Sequence, residues 1–374
     1  MAIYPIKCPV RENDVWWAAR RPELNFKEAI NSIEPGSDIN YQKAVERQSM
    51  LTKPAGALGF LEELSCQFSA ISDEFPPKVP ESPVVCVFAS DHGVLEEGIT
   101  PWPQEVTTQM VANFLAGGAA INAIAKQVGA KVAVIDIGVA GDTSGFAGVI
   151  DKKIRAGTDN LARRPAMSVS EAERAIQAGF DVAMSMIDAG CDMLVIGDMG
   201  IGNTTPSAAL ISWYTRSGVE ETTGRGTGID DDRMLVKIKA IKSALERLAN
   251  EKLSDPVHVL ASIGGLEIAG MVGLILAGSF RRIPVVLDGV IADAAAVVSF
   301  QLNQKVRSFL FAGHLSQEPG AQKSLNYLGL KPILTLDLRL GEGTGACLSI
   351  PIIQSAVRTL VEMATFDSAG VSEG

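Results

Sequence analysis

Short apolar segments rich in β-branched residues alternate with longer helix-like segments through the middle of this 374-residue chain. Each short segment is apolar throughout rather than at every second residue, which is typical of strands buried on both faces of a parallel sheet. The six segments are VVCVFAS (84–90), KVAVIDIG (131–138), DMLVIGD (192–198), VHVLASIG (257–264), PVVLDG (284–289) and SFLFAGH (308–314).

The segments between these strands carry helix-start signals. Ser168-x-x-Glu171 is a capping box, and Asp230, Asp231 and Asp232 place negative charge where a helix dipole favours it. Alternating strands and helices predict an α/β fold: a three-layer, Rossmann-like parallel sheet with helices on both faces. A (β/α)₈ barrel is the alternative, for which six strands are too few.

Both chain ends lack strand signals and are predicted to be helical. We expect residues 1–75 and 345–374 to form a small helical domain, and residues 76–344 to form the large α/β substrate-binding domain. The segment 72–83, rich in proline and charge, is predicted to link them.

Composition excludes several classes of function. The net charge of −10, with no basic cluster, argues against a nucleic-acid partner. Five scattered cysteines without a CxxC pair indicate neither a disulfide framework nor a zinc site, and the N-terminus lacks the pattern of a secretory signal. The long apolar stretch 257–278 is interrupted by Gly264-Gly265 and Glu267, which favours buried structure over a membrane span. A cytoplasmic protein that binds no membrane is predicted.

Polar and glycine residues follow nearly every predicted strand. In an open parallel sheet, ligands bind beyond the carboxyl ends of the strands, so these residues should border one cleft for a small polar ligand. They include Asp91-His92, Asp198, Asp288 and His314, and we take Asp288 as a candidate substrate contact. For each histidine, fixing a loop by hydrogen bonds is at least as good an interpretation as contacting a substrate.

IGDMGIGNTTPSAAL (196–210) is the most specific of these clusters. A strand leads into glycines and then into a helix start, with a Thr cap and Pro206 predicted at the first helical position. A glycine-rich backbone before a helix N-terminus suits a phosphate, although a structural turn is the alternative. A Walker lysine and a complete G-x-G-x-x-G are both missing, so neither a P-loop nor a standard dinucleotide site is indicated.

Two further glycine clusters are weaker candidates. GRGTGIDDD (224–232) also leads into a helix, but its aspartates would repel an anion, so we predict a structural or gating loop. Gly264-Gly265 is a possible phosphate contact. LRLGEGTGA (338–346) sets Glu342 between glycines, either as a solvated turn residue or as a group aimed at a ligand.

A family resemblance joins these motifs. The chain carries, in order, LTKPAGALGFLEELS (51–65), FASDHGVLEEGITPWPQEVTTQMVANFLAGGAAIN (88–122), GDMGIGNTTPSAAL (197–210), GRGTGIDD (224–231), IGGLEIAGMVG (263–273), VVLDGVIADAAA (285–296), FAGHLSQEPG (311–320) and LRLGEGTGA (338–346). It closely resembles the nicotinate-nucleotide–dimethylbenzimidazole phosphoribosyltransferase family. The resemblance implies a Rossmann-like domain, a small helical domain from both termini, a homodimer, and no cofactor or metal.

The resemblance also implies a reaction. A phosphoribosyl group would move from nicotinate mononucleotide to 5,6-dimethylbenzimidazole, giving nicotinate and α-ribazole 5′-phosphate for the lower ligand of cobalamin. Glu342, in the family's LGEG motif, would be the base that takes the imidazole proton. Asp198 stands where the family usually has glutamate, so the reach of this second catalytic carboxylate is one methylene shorter.

The substrate-binding residues follow from the same motifs. The GIGN backbone (Gly200, Ile201, Gly202 and Asn203) and Gly264-Gly265 would hold the phosphate and ribose. Gln109 would contact the benzimidazole edge, or else lie in solvent on its helix.

Three other functions remain open. The same chemistry could serve a different acceptor base or a phenol. A nicotinamide-dinucleotide oxidoreductase would need the full glycine fingerprint and a placed acidic residue. A non-catalytic nucleotide-binding protein would be favoured by loss of Glu342, which is present.

Overall fold

The computed structural model describes residues 24–372 of the chain. Six strands form one sheet in which every neighbouring pair is parallel, which confirms the predicted α/β fold. The strands are β1 (Pro83–Ser90), β2 (Lys131–Gly138), β3 (Ile150–Asp151), β4 (Met193–Met199), β5 (Val285–Leu287) and β6 (Leu310–Ala312).

The strand order β3-β2-β1-β4-β5-β6 defines the position of the binding crevice. From β1 the chain moves outward to β2 and β3, then returns to the other side of β1 to build β4, β5 and β6. The order therefore reverses between β1 and β4, and in a doubly wound sheet ligands bind beyond the carboxyl ends of the strands at this switch point.

One predicted strand is wrong, and one strand was missed. Residues 257–264 belong to a helix, Pro256–Ile263, because Asp255 accepts hydrogen bonds from the Val257 and His258 amides and Pro256 fits the first helical position. This helix is buried on nearly all sides, so its apolar run has no 3.6-residue period that would distinguish it from a strand. The missed strand, β3, has only two residues and shows no periodicity.

Fifteen α-helices surround the sheet within the described residues. They are α1 (Phe26–Ser32), α2 (Asp38–Met50), α3 (Phe60–Ile71), α4 (Glu105–Leu115), α5 (Ala120–Val128), α6 (Val169–Asp188), α7 (Thr204–Thr215), α8 (Val219–Thr222), α9 (Asp231–Glu251), α10 (Pro256–Ile263), α11 (Leu266–Phe280), α12 (Val290–Leu302), α13 (Pro319–Leu328), α14 (Thr344–Glu362) and α15 (Phe366–Ala369). Two 3₁₀-helices, Gly93–Glu97 and Gln304–Phe309, complete the described elements.

Two separate groups of helices contact the sheet and give the fold its three layers. In one group, α11 packs against β1, β2, β4 and β5 and against α6. In the other, α14 packs against β4 and β5 and against α3 and α5. The predicted capping box at the start of α6 is confirmed, because the Ser168 hydroxyl accepts the Glu171 amide while Glu171 accepts the Ser168 amide.

The helices near both chain ends pack together. Arg47 of α2 donates to the carbonyls of Leu360 and Val361 at the end of α14, and Leu51 pairs with Thr365. Residues 1–23 and 373–374 of the predicted helical domain lie outside the described residues. The division into 1–75 with 345–374 and 76–344 stays a prediction.

The apolar stretch that raised the question of a membrane span forms α10 and α11 in the core. Every residue from 266 to 279 is buried. Within residues 24–372, one helix, α14, is long and apolar enough to cross a membrane by length and composition, and 56% of its apolar window is buried inside the protein. A helix buried in the core of a protein can be equally long and equally apolar.

The contact between α6 and α11 yields a stability prediction. A Cβ atom on Gly179 would overlap the Gly270 backbone, so Gly179→Ala must push the two helices apart. We expect the free energy of unfolding to fall by about 2 kcal/mol, as in other overpacked cores. Urea denaturation would measure it. Gly145→Ala is the control, since its Cβ meets nothing within 4 Å, and an equal loss in both variants would contradict the prediction.

Candidate active site

A cleft of about 740 Å³, counting its open mouth, lies at the carboxyl ends of β4, β5 and β6. Residues at or just beyond the ends of these strands line it: Asp198, residues 200–205, residues 289–291, His314, Ser316 and Glu318. The remaining wall comes mainly from residues 225–229, Lys237 and residues 339–341. The volume is typical of a small-molecule site, and the position agrees with the predicted convergence of strand ends.

The segment after β4 forms the floor of the cleft. Gly202 adopts a left-handed conformation (φ 91°), and the Ile201 amide donates to Thr107 Oγ1 of α4 at 3.2 Å. Helix α7 begins at Thr204 with Asn203 at the N-cap position, so the expected Thr cap with Pro206 at the first helical position is wrong by two residues. The N-terminus of α7 lies in the cleft wall, where its dipole favours an anion.

Asp198 is a buried carboxyl group at the start of this segment. Its Oδ2 accepts a hydrogen bond from Asn203 Nδ2 at 2.8 Å, whereas Oδ1 is buried without a hydrogen-bond partner. Burial, reinforced by the negative charge of Asp288, raises the pKa of Asp198 to about 8 against the lowering effect of Asn203. Asp198 is therefore largely protonated at neutral pH.

Glu342 occupies a strained turn beside Asp198. Gly341, Glu342 and Gly343 all have positive φ (85°, 62° and 87°), and a left-handed glutamate costs about 1–2 kcal/mol. We call these residues the 341–343 turn. It is anchored on β4 because the Glu342 amide donates to the Asp198 carbonyl at 3.3 Å. Strain of this kind in a buried acidic residue indicates a functional constraint rather than a solvated turn.

The Glu342 carboxylate is directed toward the start of α5. Oε2 accepts the Ile121 amide at 3.1 Å, and only 5% of the residue is exposed. Burial raises the pKa of Glu342 above its usual value, the Ile121 hydrogen bond opposes this, and Asp288 adds to the rise. Its neighbours Leu340 and Gly341 line the cleft. A buried carboxylate with a raised pKa is a stronger proton acceptor than one in water.

Asp288 supports the 341–343 turn from the end of β5. Its Oδ1 accepts the Ala346 amide at 2.9 Å in the first turn of α14 and lies 3.5 Å from His314 Nε2. Oδ2 is buried without a hydrogen-bond partner. His314 lines the cleft, while Asp288 lies behind it. The proposed substrate contact of Asp288 stays a prediction.

The opposite end of the cleft is basic, which the sequence patterns did not indicate. Lys237 of α9 is buried and donates to Thr204 Oγ1 and to the Gly224 carbonyl, each at 2.8 Å. Burial lowers the pKa of Lys237 to about 8, although the Glu318 carboxylate opposes this. Lys237 therefore places a cation next to the N-terminus of α7, and the two together favour a phosphate.

Residues 224–229, which we call the 224–229 loop, form one wall of this basic end. Two of the aspartates in GRGTGIDDD form ion pairs, Asp231 with Arg225 and Asp230 with Arg233. The predicted structural or gating role of this loop stays a prediction. Lys237 could have been found by its spacing: it lies on the same helical face as the buried residues Ile241, Ala244 and Leu248. A lysine on such a face must meet an anion or a polar pocket.

Besides Asp288, three predicted binding residues lie outside the cleft lining. Gln109 is exposed on α4, and Gly264 and Gly265 are buried at the junction of α10 and α11. A Cβ on Gly265 would meet His92 and Glu267, two buried side chains that lie 3.0 Å apart between His92 Nε2 and Glu267 Oε1. Burial lowers the pKa of His92, but the negative charges of Glu267 and Asp91 together raise it by more than burial lowers it, so the net shift is upward. The substrate contacts assigned to these three residues stay predictions.

A doubly wound sheet with an anion site at a helix N-terminus and buried carboxyl groups beside it defines a nucleotide-binding enzyme of the α/β class. Residues 33–371 match the model of a family described as "Phosphoribosyltransferase". The chain is 48% identical to the nicotinate-nucleotide–dimethylbenzimidazole phosphoribosyltransferase of Salinispora tropica, over 91% of this chain and 98% of the relative. The enzyme of the same name from Desulforamulus reducens is also 48% identical, over 93% and 99%.

Solved structures agree with these relatives. The crystal structure of nicotinate-nucleotide–dimethylbenzimidazole phosphoribosyltransferase from Thermus thermophilus superimposes with a TM-score of 0.86 at 43% identity, covering 90% of this chain and all of that one. The chain therefore belongs to the nicotinate-nucleotide–dimethylbenzimidazole phosphoribosyltransferase family.

The pKa of Lys237 gives a testable pH dependence. Below about pH 8 its ammonium group is charged and attracts a phosphate; above it the charge is lost. A phosphate monoester is already dianionic above pH 7, its second pKa being about 6. We expect the affinity for ribose 5-phosphate, measured by calorimetry, to fall as pH rises through about 8.

Asp198 gains a negative charge in the same pH range, so Asp198→Asn is the necessary control. Affinity in this variant should still fall with rising pH, whereas Lys237→Met should bind weakly at every pH. Loss of the pH dependence in Asp198→Asn would assign it to Asp198 instead.

Proposed function

We propose that this protein transfers the 5-phosphoribosyl group of nicotinate mononucleotide to 5,6-dimethylbenzimidazole, giving nicotinate and α-ribazole 5′-phosphate. The observation that carries the proposal is the 341–343 turn, which anchors the Glu342 backbone on β4 and directs its buried carboxylate to the Ile121 amide, next to Gly341 of the cleft lining. The relatives named for this activity align with this chain over almost their whole length, and the sequence motifs of the family are present in this chain.

The phosphate group of the donor determines its position in the cleft. The N-terminus of α7 and Lys237 bind the phosphate, so the ribose extends toward Asp198 and Gly341 along the cleft floor. The bond between C1′ and the pyridinium nitrogen breaks with its electron pair moving to nicotinate, which leaves as a neutral pyridine ring. Because this leaving group needs no proton, the reaction needs no general acid at C1′.

The acceptor forms the new bond to C1′ through a ring nitrogen. One imidazole nitrogen attacks C1′ from the face opposite to nicotinate, and the configuration inverts. Glu342 takes the N–H proton from the other nitrogen of the ring, and its raised pKa suits this role. The positive charge on the sugar in an oxocarbenium-like transition state is stabilised by the negative charge of Glu342.

Asp198 has a different role from Glu342 in this proposal. Its pKa of about 8 leaves it protonated at neutral pH, so it acts as a hydrogen-bond donor rather than as a base. Asn203 fixes one of its oxygens, and the other is free to meet the ribose. The shorter aspartate therefore orders the donor and leaves deprotonation of the acceptor to Glu342.

The dinucleotide oxidoreductase is the weaker candidate. Dinucleotide sites on this sheet place the pyrophosphate on a glycine-rich turn between the first strand and a helix. Here β1 ends at Ser90 and is followed by Asp91-His92 and a short 3₁₀-helix, and the glycine-rich turn follows β4 instead. A different acceptor base or a phenol remains compatible with the same site.

We also propose a cytoplasmic homodimer. The four described cysteines, Cys66, Cys86, Cys191 and Cys347, are buried free thiols, as in proteins of a reducing compartment. The dimer rests on the family resemblance, and light scattering on the purified protein would test it. A monomer at micromolar concentration would contradict it.

An activity assay tests the reaction directly. Purified protein is mixed with nicotinate mononucleotide and 5,6-dimethylbenzimidazole, adenine, other benzimidazoles or a phenol, and nicotinate release is followed beside the product mass. We expect α-ribazole 5′-phosphate with the first acceptor. No ribosylated product with any acceptor would reject the transferase, and NAD-dependent oxidation or reduction would support the oxidoreductase.

Glu342→Gln tests the base. The amide keeps the shape and the left-handed turn but cannot accept a proton, so we expect normal folding and a turnover at least about 100-fold lower, the usual contribution of a general base. Thermal unfolding would verify the fold. Asp198→Asn should retain much more activity than Glu342→Gln, and the reverse order would move the base to Asp198.

A further inference from the structure

Glu318 is a buried carboxylate at the phosphate end of the cleft that the proposed reaction does not use. It is 7% exposed and stands at the N-cap of α13, where Pro319 follows it. It lines the cleft together with Lys237 and the 224–229 loop. A negative charge here should oppose binding of a phosphate, so its presence requires another reason.

Its contacts give that reason. Glu318 Oε1 accepts the amide hydrogen of Gly226 at 2.8 Å, and Arg339 Nη1 donates to the Gly226 carbonyl at 2.9 Å. Gly226 is thus held at both its N–H and its C=O. Its φ of 53° is left-handed, and a side chain there would approach Thr204 Oγ1. The loop reaches over the start of α7 because Gly226 is fixed at this point.

The same carboxylate acts on Lys237. It is the charged group that favours the ammonium form of this buried lysine, which also donates to the Gly224 carbonyl. Glu318 and Lys237 therefore hold nearby residues of the 224–229 loop, one by its amide and the other by its carbonyl. Arg339, three residues before Glu342, joins the loop to the segment that carries the base.

We propose that Glu318 is a positioning residue that latches the 224–229 loop over the phosphate end of the cleft through the hydrogen bond from Gly226. With the latch in place, the loop and Lys237 form a preorganised site for the phosphate of the donor. Without the hydrogen bond from Gly226, the loop must become ordered when the donor binds. The free-energy cost of that ordering lowers the affinity for the donor.

This inference rests on the proposed function for the identity of the donor, but its test does not. Ribose 5-phosphate binding is measured by calorimetry with no turnover. Weak binding in Glu318→Ala but normal binding in wild type would support the latch even if no acceptor were ribosylated. Loss of the transferase reaction alone would leave this measurement unaffected.

The kinetic test separates positioning from chemistry. Glu318→Ala should raise the KM for nicotinate mononucleotide about tenfold, because a hydrogen bond to a charged acceptor is lost, and leave kcat within about threefold. Glu318→Gln retains an acceptor oxygen for Gly226 and should recover most of the affinity. A large fall in kcat with unchanged KM, or a Gln variant as weak as the Ala variant, would overturn the proposal.

Glu221→Ala is the matched control. Glu221 pairs with Lys323 of α13 at 3.2 Å, on the surface and away from the cleft. Its removal should change neither KM nor phosphate affinity. Tighter phosphate binding in Glu318→Ala would show that the carboxylate competes with the anion, which contradicts the latch.

Gly224 offers a second, independent perturbation. A Cβ on Gly224 would overlap the Glu318 carboxylate and displace it from Gly226. Gly224→Ala should therefore weaken ribose 5-phosphate binding by a similar factor, and the double variant with Glu318→Ala should be no weaker than either single variant. Fully additive losses would mean that Gly224 and Glu318 do not act through the same contact.

Discussion

The hydrogen bond between the Glu342 amide and the Asp198 carbonyl is the constraint on which the rest of the site depends. It sets a turn of three left-handed residues directly on the end of β4. Gly197 makes this possible, because a Cβ there would lie 2.6 Å from the Glu342 carbonyl oxygen. Two carboxyl groups from segments 144 positions apart in the chain, residues 198 and 342, are thereby fixed as neighbours.

The two ends of the cleft then follow from different physical causes. At the end with the carboxyl groups, burial and the negative charge of Asp288 raise the pKa values of both Asp198 and Glu342. At the other end, the dipole of α7 and the Lys237 ammonium attract an anion. A donor with a phosphate at one end and a reactive anomeric carbon at the other fits this polarity in one orientation.

Much of the fold could be predicted from the sequence, since strands buried on both faces leave continuous apolar runs. The pattern failed where α10 is buried all round, because its run carries no period of 3.6 residues. Local motifs likewise led to Asp198 and the GIGN segment, which line the cleft, and to Glu342, which adjoins it; their roles stay predictions. They could not place Lys237, Arg339 or Glu318 in the cleft, because these residues reach it from helices and loops that only the tertiary structure brings together. For Lys237 they could show only that it lies on the buried face of α9. Nor could they show that Asp231 turns away to pair with Arg225.

The start of α14 gives the site a mechanical connection to the chain termini. The helix follows the 341–343 turn without a linker, and its 19 residues, with Pro351 inside the helix, span about 28 Å. Arg47 of α2 holds the far end, while Asp288 holds the near end at Ala346. Glu342 therefore lies two residues before a helix whose other end packs among the terminal helices. A displacement of those helices would therefore act through α14 on the turn that carries the proton acceptor, against the anchor of that turn on β4.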